Sequence, residues 1–151
     1  IANVGISNQK LLRLERLSLT QRRAGKTLAE DPLFAARLAR LEIELRNLET
    51  TNLRVLDGFS KGAGPGPESS MLKIIGSELE QNLDDLTRRA LGRHAQAHTP
   101  EVFEPGYNGP QVAPKNMANQ SAAYFNKRKV SIYGGSNEIQ KNIITKMILE
   151  L

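Results

Sequence analysis

Gly134-Gly135-Ser136-Asn137-Glu138 places two glycines directly before a hydroxyl, an amide and a carboxylate. No other stretch of the chain is so well equipped to hold a polar ligand. Glycine admits positive φ and lets a backbone come close to another molecule. Ser136 or Asn137 can cap a helix that restarts there, leaving its first N–H groups pointing outward. A break of this kind holds a phosphate or the polar edge of a cofactor, or it is a plain corner between two helices. Tyr133 stands just before it, where the preceding helix is expected to end.

Other chemistry is thinly represented. With no cysteine among 151 residues, disulfides and thiolate metal sites are excluded, and a reducing compartment is expected. His94 and His98 are four apart, but two imidazoles alone make a poor metal site and Arg93–Pro100 reads as a fraying helix end. No metal is expected. The net charge of +5 suggests an anionic partner at first sight. Yet basic residues alternate with Asp and Glu, and tight clusters occur only at Gln21-Arg22-Arg23 and Lys127-Arg128-Lys129. With three Tyr, four Phe and no Trp, stacking aromatics are sparse, so no nucleic-acid partner is expected. No apolar run approaches the roughly 20 residues of a membrane span. No signal peptide is visible, which fits a cytoplasmic location. The opening Ile1-Ala2-Asn3-Val4-Gly5 lacks an initiator Met and enters a helical pattern at once, as a fragment of a longer polypeptide would.

The elements that must carry Tyr133–Glu138 are helices. A first is expected from about Val4 to Leu28, interrupted at Gly25-Lys26, with Asp31 as cap and Pro32 as first residue of the next. Phe34, Leu38, Leu41, Leu45, Leu48, Asn52, Val55 and Phe59 then keep a 4-3-4-3 spacing, an apolar stripe with one polar member. Gly58 and the Gly/Pro run 62–67 end that helix in a short connection. Glu68-Ser69-Ser70 opens a third, with Leu72, Ile75, Leu79, Leu83, Leu86 and Ala90 as its stripe and Gly92 as its stop. From His94 to Lys115 the prolines and glycines forbid a long element. A fourth helix is expected from about Met117 to Tyr133 and a fifth from about Asn137 to Leu149. No strand signal stands out. The pattern predicts an all-α protein, an antiparallel four-helix bundle with an extra short C-terminal helix and one long crossing loop.

At this point the residues resemble a family. Ile132-Tyr133-Gly134-Gly135-Ser136-Asn137-Glu138-Ile139-Gln140, with Lys141-Asn142-Ile143-Ile144 and Ile148-Leu149, is similar to the C-terminal signature of acyl-CoA dehydrogenases. Gly25-Lys26, Leu28, Leu38-Ala39 and Glu42 resemble the family's Phe-Gly-Lys element and the Leu-Ala helix after it. Ser69-Ser70-Met71-Leu72-Lys73 resembles the start of the next bundle helix, and Ile1–Gly5 the stretch after the family's Glu-Arg pair. The resemblance spans essentially the whole chain. It implies that residues 1–151 form the C-terminal bundle of a three-part enzyme, inactive as an isolated fragment.

The implied chemistry is α,β-dehydrogenation of an acyl-CoA thioester. A carboxylate takes the α-proton, a β-hydride passes to N5 of FAD, and electrons leave by an acceptor flavoprotein. By this resemblance Ser136, Asn137 and Glu138 contact FAD, while Tyr133, Gly134 and Gly135 line the acyl site. Exposed family interfaces imply a homo-oligomer, dimer or tetramer. Departures from the family pattern carry their own implications. The position that holds a catalytic glutamate in many members is Gly134, which cannot be a base, and the alternative glutamate position falls just upstream of Ile1. No catalytic residue is therefore expected within the chain. The family's Arg-x-x-Phe-Gly reads Gln21-Arg22-Arg23-Ala24-Gly25, which leaves Arg22 as the substitute pyrophosphate ligand. Its Gln-x-x-Gly-Gly reads Arg89-Ala90-Leu91-Gly92-Arg93, which weakens the adenine end. Two other readings stand beside the enzyme: a non-catalytic assembly subunit or domain of the same family, and a helical interaction module.

Overall fold

The computed structural model describes residues 2–114 and 117–150; Ile1 and the Lys115 end of the crossing loop lie outside the described residues. The chain is all-α apart from one two-residue ladder. Its helices are α1 (Val4–Thr20), α2 (Pro32–Ser60), α3 (Pro67–Leu91), α4 (Gln120–Asn126) and α5 (Asn137–Leu149). Helix α3 is the centre, touching every other helix. Leu14 of α1, Leu45 of α2 and Leu83 of α3 are completely buried. Leu41 and Leu48 from the stripe of α2, and Leu72, Leu79 and Leu86 from that of α3, complete the core around them.

Three features depart from the pattern read in the sequence. Helix α1 stops at Thr20, because Ala24 and Gly25 both take positive φ (+49° and +82°). They form the tight turn of a hairpin, β1 (Arg22–Arg23) against β2 (Lys26–Thr27), before a 3-10 turn at Leu28–Glu30 buries Leu28. The expected fourth helix is shorter and split, α4 followed by a 3-10 run over Lys127–Ser131. Its start is delayed because Asn119 takes a left-handed φ and spends its amide on Thr99, accepting from the Thr99 N–H (2.7 Å) and donating to the Thr99 carbonyl (2.9 Å). That pair also pins the long loop against the bundle. Third, Ile75 leaves the buried stripe and Gly76 replaces it. A Cβ at Gly76 would lie 3.1 Å from the Ala2 carbonyl oxygen, so glycine eases the close approach to α3 of the residues leading into α1.

Candidate functional site

Alongside its apolar stripe, α3 carries a polar one. Lys73, Ser77, Glu80 and Asp84 recur at helical spacing, and all but Asp84, together with Glu78 and Gln81 beside them, hold the chain from Lys127 to Asn137. The Gln81 amide donates to the carbonyls of Lys127 (3.3 Å) and Arg128 (3.2 Å), and the Arg128 guanidinium donates back to the Gln81 carbonyl (3.2 Å). Drawing those carbonyls sideways favours the tighter 3-10 winding there over continued α-helix. Farther along, the Lys73 ammonium donates to the Ser131 carbonyl (3.1 Å) and to Asn137 Oδ1 (2.8 Å), while Asn137 Nδ2 donates to Glu78 (3.4 Å).

The helix break falls where the two glycines stand. Gly134 and Gly135 have φ of +70° and +86°, and α5 restarts with Ser136 as its N-cap, accepting from the Ile139 N–H at 3.4 Å. The break is thus a capped corner of the kind the sequence predicts. Tyr133, Gly134, Gly135 and Glu138 are exposed and Ser136 is half-buried. Asn137 differs from its neighbours: it is buried, with its side chain turned into the bundle against Lys73, Ser77 and Glu78. Its amide is thus engaged within the chain. The Glu138 carboxyl is held below its ordinary value, first by its own backbone N–H and next by the Ser136 hydroxyl, with the charges of Lys141 and Lys73 assisting. A fixed negative charge therefore sits at the start of α5.

One cavity of about 250 Å³ joins this break to the beginning of the chain. Ala2 and Asn3 form one wall, Lys73, Gly76 and Glu80 of α3 the floor, and Tyr133 with Gly134 the opposite wall. At Gly134 a Cβ would meet nothing within 4 Å. Beneath this cavity lies a buried charge network. Glu80 accepts from Lys10 (3.0 Å) and Lys127 (2.8 Å), and Asp84 accepts from Lys10 (2.7 Å), which ties α1, α3 and the 3-10 run together. Burial alone would raise the Glu80 carboxyl, but the bonds from Lys127 and Lys10 outweigh it and hold it below the ordinary value.

Arg22 lies elsewhere. Its guanidinium is exposed and donates to the Gly25 carbonyl across the hairpin turn, while Arg23 donates to the Arg89 carbonyl (3.1 Å). The hairpin thereby sits beside the end of α3, where Arg89 pairs with Asp85 and Gly92 takes φ +55°. That end is roughly three turns, or roughly 18 Å, along α3 from Ser77. The site residues read in the sequence thus fall into two groups, Tyr133–Glu138 at one level of α3 and Arg22 with Arg89 and Arg93 at another. His94 lies in a 3-10 turn and His98 beyond it, so they do not share a helical face. Among the described residues no group of three or more His, Asp or Glu is placed to hold a metal ion. Nor, among them, is any helix long and apolar enough to cross a membrane.

Lys73, Ser77 and Glu80 escaped a reading of the sequence that followed apolar spacing alone. Their signal was present as a polar stripe one residue out of phase with the leucines of α3.

A helical bundle with a glycine break before its last helix defines a class, and comparison with known proteins identifies it. The model of the acyl-CoA dehydrogenase C-terminal domain matches residues 1–149. The chain belongs to the acyl-CoA dehydrogenase family. It is 30% identical over 123 residues to the acyl-CoA dehydrogenase IpdE1 of Mycobacterium tuberculosis, a match covering 82% of this chain and 28% of that protein. Among solved structures it superposes on the ChsE4-ChsE5 complex of Mycobacterium tuberculosis with a TM-score of 0.74 at 22% identity, over 100% of this chain and 37% of that one. It superposes equally on an FAD complex of PigA, TM-score 0.74 at 17% identity, over 95% of this chain and 33% of that one. At these identities the superpositions speak for the fold. The chain spans about a third of the length of the relatives it matches.

Proposed function

We propose that this chain is the C-terminal helical domain of an FAD-dependent acyl-CoA dehydrogenase, which introduces an α,β double bond into an acyl-CoA thioester. The observation that carries this reading is the shared cavity. The start of α1 and the Tyr133–Gly134 edge are its two walls, and these are the two places from which the family resemblance draws a catalytic carboxylate. Gly134 has no side chain, so the base is assigned to the residues immediately before Ile1.

When bound, FAD supplies the hydride acceptor. The residues at the start of α5 fit an uncharged polar edge of that cofactor: the Ser136 hydroxyl, the first backbone N–H groups and the open space beside Gly134. They do not fit its pyrophosphate, because the ionised Glu138 would repel it. Phosphate falls to the other group, where Arg22 uses one arm on Gly25 and keeps further donors. Asn137 acts from behind, holding Ser136 and Glu138 in place.

Exposed apolar residues on α2 (Ile43, Leu53, Leu56) and on α5 (Ile139, Met147, Ile148) support assembly into a dimer or tetramer. An electron-accepting flavoprotein and a cytoplasmic setting complete this reading. The glycine at 134 and the arginine at 93 favour one competing role, a non-catalytic assembly domain of the same family. A visible spectrum of the complete protein separates the two. A yellow protein that bleaches anaerobically on addition of an acyl-CoA is expected; a colourless one, after incubation with FAD, would leave the assembly role.

A further inference from the structure

We propose that Lys73 is the positioning residue of the ligand-facing stretch 132–136, a role that rests on the flavoenzyme reading above for its functional meaning. Among the described residues, every hydrogen bond made by residues 132–136 is local. Ile132 and Tyr133 donate to the Lys129 carbonyl, Gly134 accepts from the Gln140 amide at 3.1 Å, and Ser136 caps Ile139 and Gln140. Ile132 and Tyr133 are 66% and 53% exposed, so apolar burial does not anchor them. Two consecutive glycines in left-handed conformations add no stiffness of their own. The placement of this stretch over the cavity is therefore decided at its two ends.

Lys73 holds both ends with one ammonium group. It donates to the carbonyl of Ser131 on the entering side and to Asn137 Oδ1 on the leaving side. Gln81 reaches only the entering side, and Ser77 and Glu78 only the leaving side. Lys73 also lines the cavity itself, with Tyr133 and Gly134 opposite. The bridge fixes the distance between the 3-10 run and α5, and with it the pose of Tyr133, Gly134 and Ser136. Charge-assisted bonds of this length are the stronger kind, and losing both opens the segment locally without dissolving the core beneath it.

The test uses the complete protein and two substitutions, Lys73→Met and Lys73→Arg. Amide hydrogen exchange at Tyr133, Ile139 and Gln140 is expected to quicken by about tenfold in Lys73→Met and to be largely restored in Lys73→Arg. The dissociation constants of FAD and of an acyl-CoA are expected to rise by about tenfold in Lys73→Met, with the melting temperature nearly unchanged. Unchanged exchange over 132–140 would overturn the proposal. So would quickened exchange with FAD and thioester bound as tightly as before. If the unsubstituted protein proves colourless, the flavoenzyme reading fails, and the exchange comparison still decides whether Lys73 holds the stretch.

Discussion

Glu80→Gln is expected to lower the stability of the complete protein by about 2–4 kcal/mol at neutral pH, although it changes almost no volume. Glu80 is 2% exposed and accepts from two lysines that belong to different elements, Lys10 of α1 and Lys127 of the 3-10 run. Neutralising it leaves two ammonium groups facing one remaining carboxylate, Asp84. The loss stays below that of a fully enclosed pair because both lysines keep some contact with water. Acid titration provides the second arm. Burial pushes the Glu80 carboxyl upward, the bonds from Lys127 and Lys10 push it further down, and the folded value lies below the ordinary 4.5. A carboxyl depressed on folding contributes stability that is complete above its unfolded value and is lost as pH falls through its folded one. Melting temperatures followed by helical circular dichroism should thus fall more steeply below about pH 4.5 in the unsubstituted protein than in Glu80→Gln. Equal stability at neutral pH, within about 0.5 kcal/mol, would show that the network contributes nothing.

The helices that the apolar spacing announces are present because burying one apolar face outweighs the other influences on where they form. Phe34, Leu41, Leu45 and Leu48 are buried as their spacing requires, and α5 occupies the expected Asn137–Leu149. What stayed hidden rests on weaker or tertiary causes. The turn at Ala24-Gly25 lacks the Asn or Asp that usually announces a two-residue hairpin. The shortening of α4 depends on Thr99, twenty positions before Asn119, and on Gln81 across the bundle. At the site, the glycine break and its Ser136 cap were legible as local chemistry. That Asn137 would turn inward was not, since its partners Lys73, Ser77 and Glu78 come from a helix some sixty residues earlier. The convergence of Asn3 with Gly134 is of the same kind: the residues stand at opposite ends of the chain, and only the packing of both on α3 brings them to one cavity.

Gly134→Glu in the complete protein is expected to cut turnover of branched or bulky acyl thioesters by about tenfold or more relative to straight-chain ones. The space beside Gly134 is open, with no atom within 4 Å of where a Cβ would stand, so the chain leaves room next to Tyr133 that a side chain would fill. Gly134 lines the cavity shared with Ala2 and Asn3, so a glutamate there would add volume and a carboxylate at the cavity's edge. Backbone strain is a separate effect. Gly134 holds φ at +70°, and a residue with a Cβ in that conformation costs about 1–2 kcal/mol. Gly134→Ala carries the same strain with almost no side chain and therefore isolates it. If Ala and Glu variants lose branched-chain turnover equally, the effect belongs to the backbone. If the ratio of branched to straight turnover is the same in Gly134→Glu as in the unsubstituted enzyme, the space at Gly134 does not select the acyl group. The expected result is a drop in that ratio for Glu alone, because only Glu adds volume and charge at the cavity's edge.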